Sequence, residues 1–157
     1  MTVQVPEELA RLHRFVSWYE QPRWLPEAAR DGNVCVWCAS PADATAVEPA
    51  PSAGLPRRAC MRCYAAQLAW YITWYDWHRH FSACTPCRQH QTCLVGHGRR
   101  LLHEKTMPPI DKRPVCLSCP APLLGTELVA PVRWEGSEGF NLGYAHLRCL
   151  SRRPSVT

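Results

Sequence analysis

The sequence predicts a small α+β fold ordered by bound metal as much as by an apolar core. Three observations carry that expectation. Ten cysteines stand in 157 residues, eight of them as Cys-x2-Cys pairs. Fifteen prolines interrupt the chain and leave few stretches long enough for regular structure. Hydrophobic content is 46%, but much of it is alanine, cysteine and tryptophan. Subdomains below roughly 40 residues bury too little surface to offset chain entropy, and a disulfide or a metal usually makes up the difference.

Metal is expected over disulfides. Met1 to Glu8 shows no basic segment followed by an apolar one, so no secretion signal is read there. No apolar run approaches the ~18 residues of a membrane span. The expectation is therefore a cytoplasmic chain with reduced thiols, where paired cysteines more often mean metal.

Two segments read as helices. Residues 6–20 open with Pro6, Glu7 and Glu8, then place Leu9, Leu12, Val16 and Tyr19 on one face. Residues 61–82 carry Leu68, Trp70, Tyr71, Ile72, Trp74, Tyr75, Trp77 and Phe81 at three- and four-residue steps. Packing of the Trp70, Trp74, Trp77 and Phe81 face against the 6–20 helix is the plain reading; an exposed part would stack bases or anchor a protein. Residues 41–56 read as a proline- and alanine-rich loop, and residues 105–114 as a linker. Beyond it lie strand-like runs at 127–130 and 132–134 and a turn at 135–139. The expected domains are 1–104, the linker 105–114, and 115–157. The only internal recurrence read at this level is Cys-x2-Cys itself.

The metal ligands follow from spacing. Cys35 and Cys38, then Cys60 and Cys63 after 21 residues, make a four-thiolate set. That spacing resembles a zinc ribbon or treble clef, with the second pair opening a helix. In the middle, His80, Cys84, Cys87 and Cys93 supply four donors, with His97, His90 or His78 as alternatives to His80. Its His-x3-Cys-x2-Cys part resembles the motif of zinc-containing anti-sigma factors. Cys84, Cys87 and Cys93 also match the distal spacing of WhiB-like iron–sulfur proteins, although the glycine–tryptophan turn of that family is missing after Cys93. An iron–sulfur cluster is therefore the alternative at this site. The last set is Cys116, Cys119, His146 and Cys149. The order of knuckle, strand-like runs and His-x2-Cys over 116–150 resembles LIM-type treble-clef fingers. Ten cysteines, His80 and His146 make twelve ligands, enough for three tetrahedral zinc ions. Sequential pairing and a RING-like cross-brace give the same count.

Charge limits the choice of partner. The formal +5 counts cysteine as neutral. Ten thiolates subtract ten charges and three zinc ions return six, which leaves about +1. Distribution still counts, because residues 49–103 hold seven arginines and one acid, Asp76. Arg57 and Arg58 precede one knuckle, and Arg99 and Arg100 follow another. These four are the candidate nucleic-acid contacts, with DNA ahead of RNA. The function expected is a non-enzymatic zinc-finger module, such as a small regulator or mobile-element accessory factor. A protein-interaction adaptor using the tryptophan helix is the alternative. No small-molecule substrate and no membrane are expected. His-Glu-x2-His is absent, and no His-x-Glu stands before a Pro-Cys-x2-Cys. A nuclease built on Asp76, His78, His90 and His97 is the third reading, by fold analogy alone.

Overall fold

The computed structural model describes residues 27–48, 58–91, 93–106, 114–123, 127–136 and 139–150. Among these are five helices and one two-stranded sheet. In chain order they are α1 (Glu27–Arg30), α2 (Met61–Ala83), α3 (Thr85–Arg88), α4 (Leu94–Thr106), β1 (Val129–Gly136), β2 (Gly139–His146) and α5 (Leu147–Leu150). The expected 6–20 helix and Arg57 lie outside the described residues. No described helix is long and apolar enough to cross a membrane. The chain gathers into two compact units, Met1–Ile72 with Thr106–Pro108, and Thr73–Lys105 with Pro109–Thr157.

In the first unit, α1 leads into the first knuckle. Gly32 takes a left-handed φ of 73°, where a Cβ would be strained. Gly32 N–H then donates to Ala29 O and Asn33 N–H to Ala28 O, the paired bonds that satisfy the last carbonyls of a helix. The chain leaves that turn directly into Val34 and Cys35. A small core of Ala29, Cys35, Val36 and Ala59 is buried there, flanked by Val34, Trp37, Cys60, Cys63 and Tyr64.

The long helix α2 matches the aromatic stretch read at 61–82, extended by one residue. No proline or glycine falls within it. Pro86 ends it, since a proline there lacks the N–H and its ring would strike the carbonyl four residues earlier. In the second unit Trp74 and Trp77 are buried. Trp74 Nε1–H donates to Gly143 O at 3.3 Å, and Trp77 stacks on Tyr144 with ring centroids 6.2 Å apart. Trp74 and Trp77 thus pack on β2; the expected packing of the aromatic face against the 6–20 helix lies outside the described residues. A strand distant in sequence leaves no periodic trace in the helix it covers.

The hairpin also differs from expectation. β1 is one strand through Pro131 instead of two runs, and its partner β2 falls where no strand was read. The pairing is antiparallel from Val129↔His146 to Gly136↔Gly139. Pro131 faces Tyr144, whose C=O accepts from Leu117 N–H at 3.0 Å. The Tyr144 backbone therefore points away from β1, and the pair needs no N–H from Pro131. β2 reads poorly because Gly139, Asn141 and Gly143 have low strand propensity. Further back, α4 runs through Lys105 and Thr106, two residues into the stretch read as a linker.

Three candidate metal centres

The twelve cysteine and histidine donors gather into three groups, each consecutive in the chain. They are Cys35, Cys38, Cys60 and Cys63; His80, Cys84, Cys87 and Cys93; and Cys116, Cys119, His146 and Cys149. The donor atoms within each group lie within 4.8 Å of one another. Pairing is sequential, so the cross-brace alternative is not the arrangement adopted. His80 is the histidine in the middle group. Asp76, His78, His90 and His97 belong to no such group among the described residues.

The distances fit an ion better than a bond. All ten cysteines are free thiols. Sγ of Cys38 and Cys60 are 3.8 Å apart, as are Sγ of Cys84 and Cys93. A tetrahedron with metal–sulfur bonds of ~2.3 Å has edges of about 3.8 Å. His80 Nε2 stands 3.3 Å from Cys93 Sγ, and His146 Nδ1 stands 3.3 Å from Cys119 Sγ. Both histidines aim one ring nitrogen into their group.

The first and last groups are built on one plan. Cys35 N–H donates to Ser40 O, and Cys116 N–H to Ala121 O, each at 2.8 Å. Val34 bridges Pro41, and Val115 bridges Pro122. Val36 N–H donates to Arg58 O, and Leu117 N–H to Tyr144 O. Two residues past each acceptor comes the third ligand, Cys60 or His146, and a helix starts at the next residue, Met61 or Leu147. The sequences agree once aligned this way. Val34-Cys-Val-Trp-Cys-Ala-Ser-Pro41 matches Val115-Cys-Leu-Ser-Cys-Pro-Ala-Pro122, and Ala59-Cys-Met-Arg-Cys63 matches Ala145-His-Leu-Arg-Cys149. This corrects the reading that only Cys-x2-Cys recurs. The repeat hides because the middle group and segments of unequal length separate its halves, and because histidine replaces one cysteine.

Two residues beside the ligands carry weight that spacing does not reveal. Glu127 Oε2 accepts from His146 Nε2–H at 2.9 Å, and Arg148 donates to Glu127 Oε1 at 3.2 Å. With Nε2 occupied by that proton, Nδ1 is the atom left for metal, and the carboxylate fixes the ring's tautomer and angle. Gly96, in the first turn of α4, donates its N–H to Cys93 Sγ at 3.4 Å. A Cβ on Gly96 would come within 3.0 Å of Cys87 Sγ. Glycine thus lets α4 close over the middle group.

The thiols are unequal before any metal arrives. The Ser40 hydroxyl and N–H hold the Cys38 thiol down to about 6. The Gly96 N–H and His80 bring Cys93 to about 6. Burial pushes Cys116 up, but the N–H groups of His146, Cys119 and Ser118 together outweigh it and bring it down to about 6. Burial pushes Cys87 up to about 12, and raises Cys63 and Cys149. Each group therefore offers one thiolate at neutral pH to receive a cation.

The arginines are less available than the sequence suggests. Arg58 donates to Asp43 O at 2.7 Å. Arg99 is bonded to the Asp76 carbonyl and paired with its carboxylate. Arg100 is bonded to Glu104 at 2.7 Å and to Glu127 O. Arg62, Arg79 and Arg88 are exposed instead, Arg79 with a distant Asp76 contact at 3.6 Å. His103, not singled out from sequence, is buried between Thr73 Oγ1 at 3.0 Å and the Tyr144 hydroxyl at 2.6 Å. A scan against family models finds no match, and searches of curated proteins and of solved structures find none either.

Proposed function

We propose that the chain is a non-enzymatic zinc module that binds nucleic acid, with its first and last groups forming treble-clef fingers. Closure of every group with four protein donors carries this reading, because a catalytic zinc keeps one position open for water. Zinc suits these donor sets of thiolate with at most one imidazole. An iron–sulfur cluster, with several metals and sulfides of its own, would hold its thiolates farther apart than the 4.8 Å limit seen in the middle group. Stacking of His78 on Trp74 at 4.9 Å and pairing of Asp76 with Arg99 support the non-enzymatic reading over the nuclease one.

Charge supports the nucleic-acid part. Residues 58–103 hold six arginines against Asp76 alone. Three of the six, Arg58, Arg99 and Arg100, are bonded within the chain, so the phosphate contacts fall to Arg62, Arg79 and Arg88. Arg62 sits on the first turn of α2 between ligands Cys60 and Cys63, where zinc would hold it rigid.

Two measurements test this. Elemental analysis of protein purified without added metal is expected to give three zinc ions per chain; brown protein carrying iron and sulfide would overturn the zinc assignment. Fluorescence anisotropy with a DNA duplex is expected to show binding that weakens steeply with salt. Replacing Arg62, Arg79 and Arg88 by alanine should flatten the log–log salt slope by roughly 0.9 for each phosphate that is no longer neutralised. Absence of binding at low salt would refute the nucleic-acid reading and leave the zinc assignment untouched.

A further inference from the structure

The face of α4 opposite the middle metal group has no role in any of this. Gly96 and His103 on one side of the helix are buried. Leu94, Val95, Leu101 and Leu102 on the other side are exposed, Leu94 to 84%. At 100° per residue these four and Gly98 fall within about one third of the helix circumference. Beyond Leu102 the arc continues to the exposed Lys105, so the apolar stripe spans residues 94–102. Scattered exposed leucines are ordinary, but an apolar stripe over about two and a half turns of one helix marks a contact surface.

Gly98 is the second observation. Gly96 has a reason within the chain, since a side chain there would crowd Cys87 Sγ. Gly98 has none: a Cβ built on it meets nothing within 4 Å. A mid-helix glycine costs about 1 kcal/mol relative to alanine, so open space is a poor place for one. Glycine is useful where another backbone must come close.

The apolar positions of the stripe are also symmetric about Gly98. Leu94 and Leu102 stand four residues to either side, and Val95 and Leu101 three. We infer that α4 is the interface of a homodimer, with two copies crossing antiparallel at Gly98. A two-fold axis through that crossing sets Leu94 of one copy against Leu102 of the other, and Val95 against Leu101. Such pairing requires a surface complementary to itself, which a symmetric stripe supplies and an arbitrary apolar stripe does not. The inference is independent of nucleic-acid binding.

The patch is small. A 13-residue helix is only about 20 Å long, so the buried area falls at the low end of specific interfaces and the dimer is weak, with Kd on the order of 10⁻⁵ M. Sedimentation equilibrium of the zinc-loaded full chain tests it. The wild type is expected to pass from monomer to dimer across that concentration range. Gly98→Gln places a good helix former in open space within the monomer but wedges the crossing apart. It should keep its zinc content and far-UV circular dichroism while Kd rises at least ~30-fold. Leu94→Glu is expected to do the same by charging the interface. A wild type that stays monomeric at about 50 times that Kd would overturn the proposal and leave α4 to a different protein partner. So would a Gly98→Gln protein that associates as tightly as the wild type.

Discussion

The first and last fingers place the same bonds around different chemistry. Both share the knuckle, the strand-like contact to the residue two before the third ligand, and a helix that begins just after that ligand. In the first, four thiolates would leave a zinc site with a net charge of −2. In the last, His146 makes it −1, and Glu127 and Arg148 are added behind the imidazole. A thiolate has no second ring nitrogen to hold, and among the described residues no carboxylate stands behind Cys60 as Glu127 stands behind His146. The ligating frame therefore tolerates exchange of cysteine for histidine when a carboxylate arrives with the histidine to fix its ring.

Removing a buried ligand gives the largest expected effect. Cys35→Ser and Cys116→Ser should each lower zinc content from three ions to two. Structural zinc contributes about 10–16 kcal/mol of binding free energy in isolated fingers, so each variant is expected to lose its own finger. The two losses should differ in near-UV circular dichroism. Trp74 and Trp77 pack on β2, which ends at His146, so Cys116→Ser should collapse their signal while Cys35→Ser preserves it. Equal loss in both would break the view of two separately ordered fingers.

Glu127→Ala comes next. Loss of the carboxylate is expected to weaken zinc at the last finger by roughly 10–100-fold and leave the first unchanged, read by competition with a chromogenic chelator. Glu127→Gln, which still accepts a hydrogen bond, should fall between. No change on either substitution would mean that His146 is oriented by packing alone.

Acid separates the fingers more finely. Zinc binding displaces protons, so affinity falls as pH falls. Near neutral pH the first finger, with four cysteine ligands against three, displaces one more thiol proton than the last, and its affinity should fall more steeply with acid there. Cys38 and Cys116 are held at about 6, below the ordinary thiol value. For such lowered groups the stabilising thiolate is present above the ordinary value and is lost as pH falls through about 6. The first finger's plot of log affinity against pH should therefore steepen by one proton below about pH 6, and Cys116 adds the same increment at the last finger. Chelator competition from pH 5 to 8, a range set by these values, would show it.

The smallest effect concerns the knuckle itself. Ala39 follows the second ligand with a left-handed φ of 56°, a conformation that costs a non-glycine residue about 1 kcal/mol. Ala39→Gly is expected to raise the stability of the first finger by a few tenths to 1 kcal/mol, measured by denaturant unfolding of the zinc-loaded chain. A decrease would show that the alanine methyl contributes packing greater than the strain.

Much of the site was legible in the residues alone. A chelating turn is local, so four Cys-x2-Cys pairs announce it, and the grouping of twelve donors into three sets follows from chain order. The helix at 61–82 was legible because its aromatic residues, Trp70 to Phe81, repeat at helical steps over about three turns. The repeat of the two fingers was also present in the residues, at Val34–Pro41 against Val115–Pro122. It went unread because its two halves are split by segments of different length and only the shared hydrogen bonds align them.

Neighbours along the chain thus dictate the metal-binding knuckles, the aromatic helix and the stops imposed by proline, and all of these can be read from the order of residues. Proximity in space dictates the rest. Folding selected sequential closure of each donor set, brought Glu127 to His146, laid β2 over Trp74 and Trp77, engaged Arg58, Arg99 and Arg100 in bonds within the chain, and left the Gly98 face of α4 open. Local spacing restricts which atoms can reach one ion, whereas the partner of a long side chain is settled by competition among every group that the fold brings within reach.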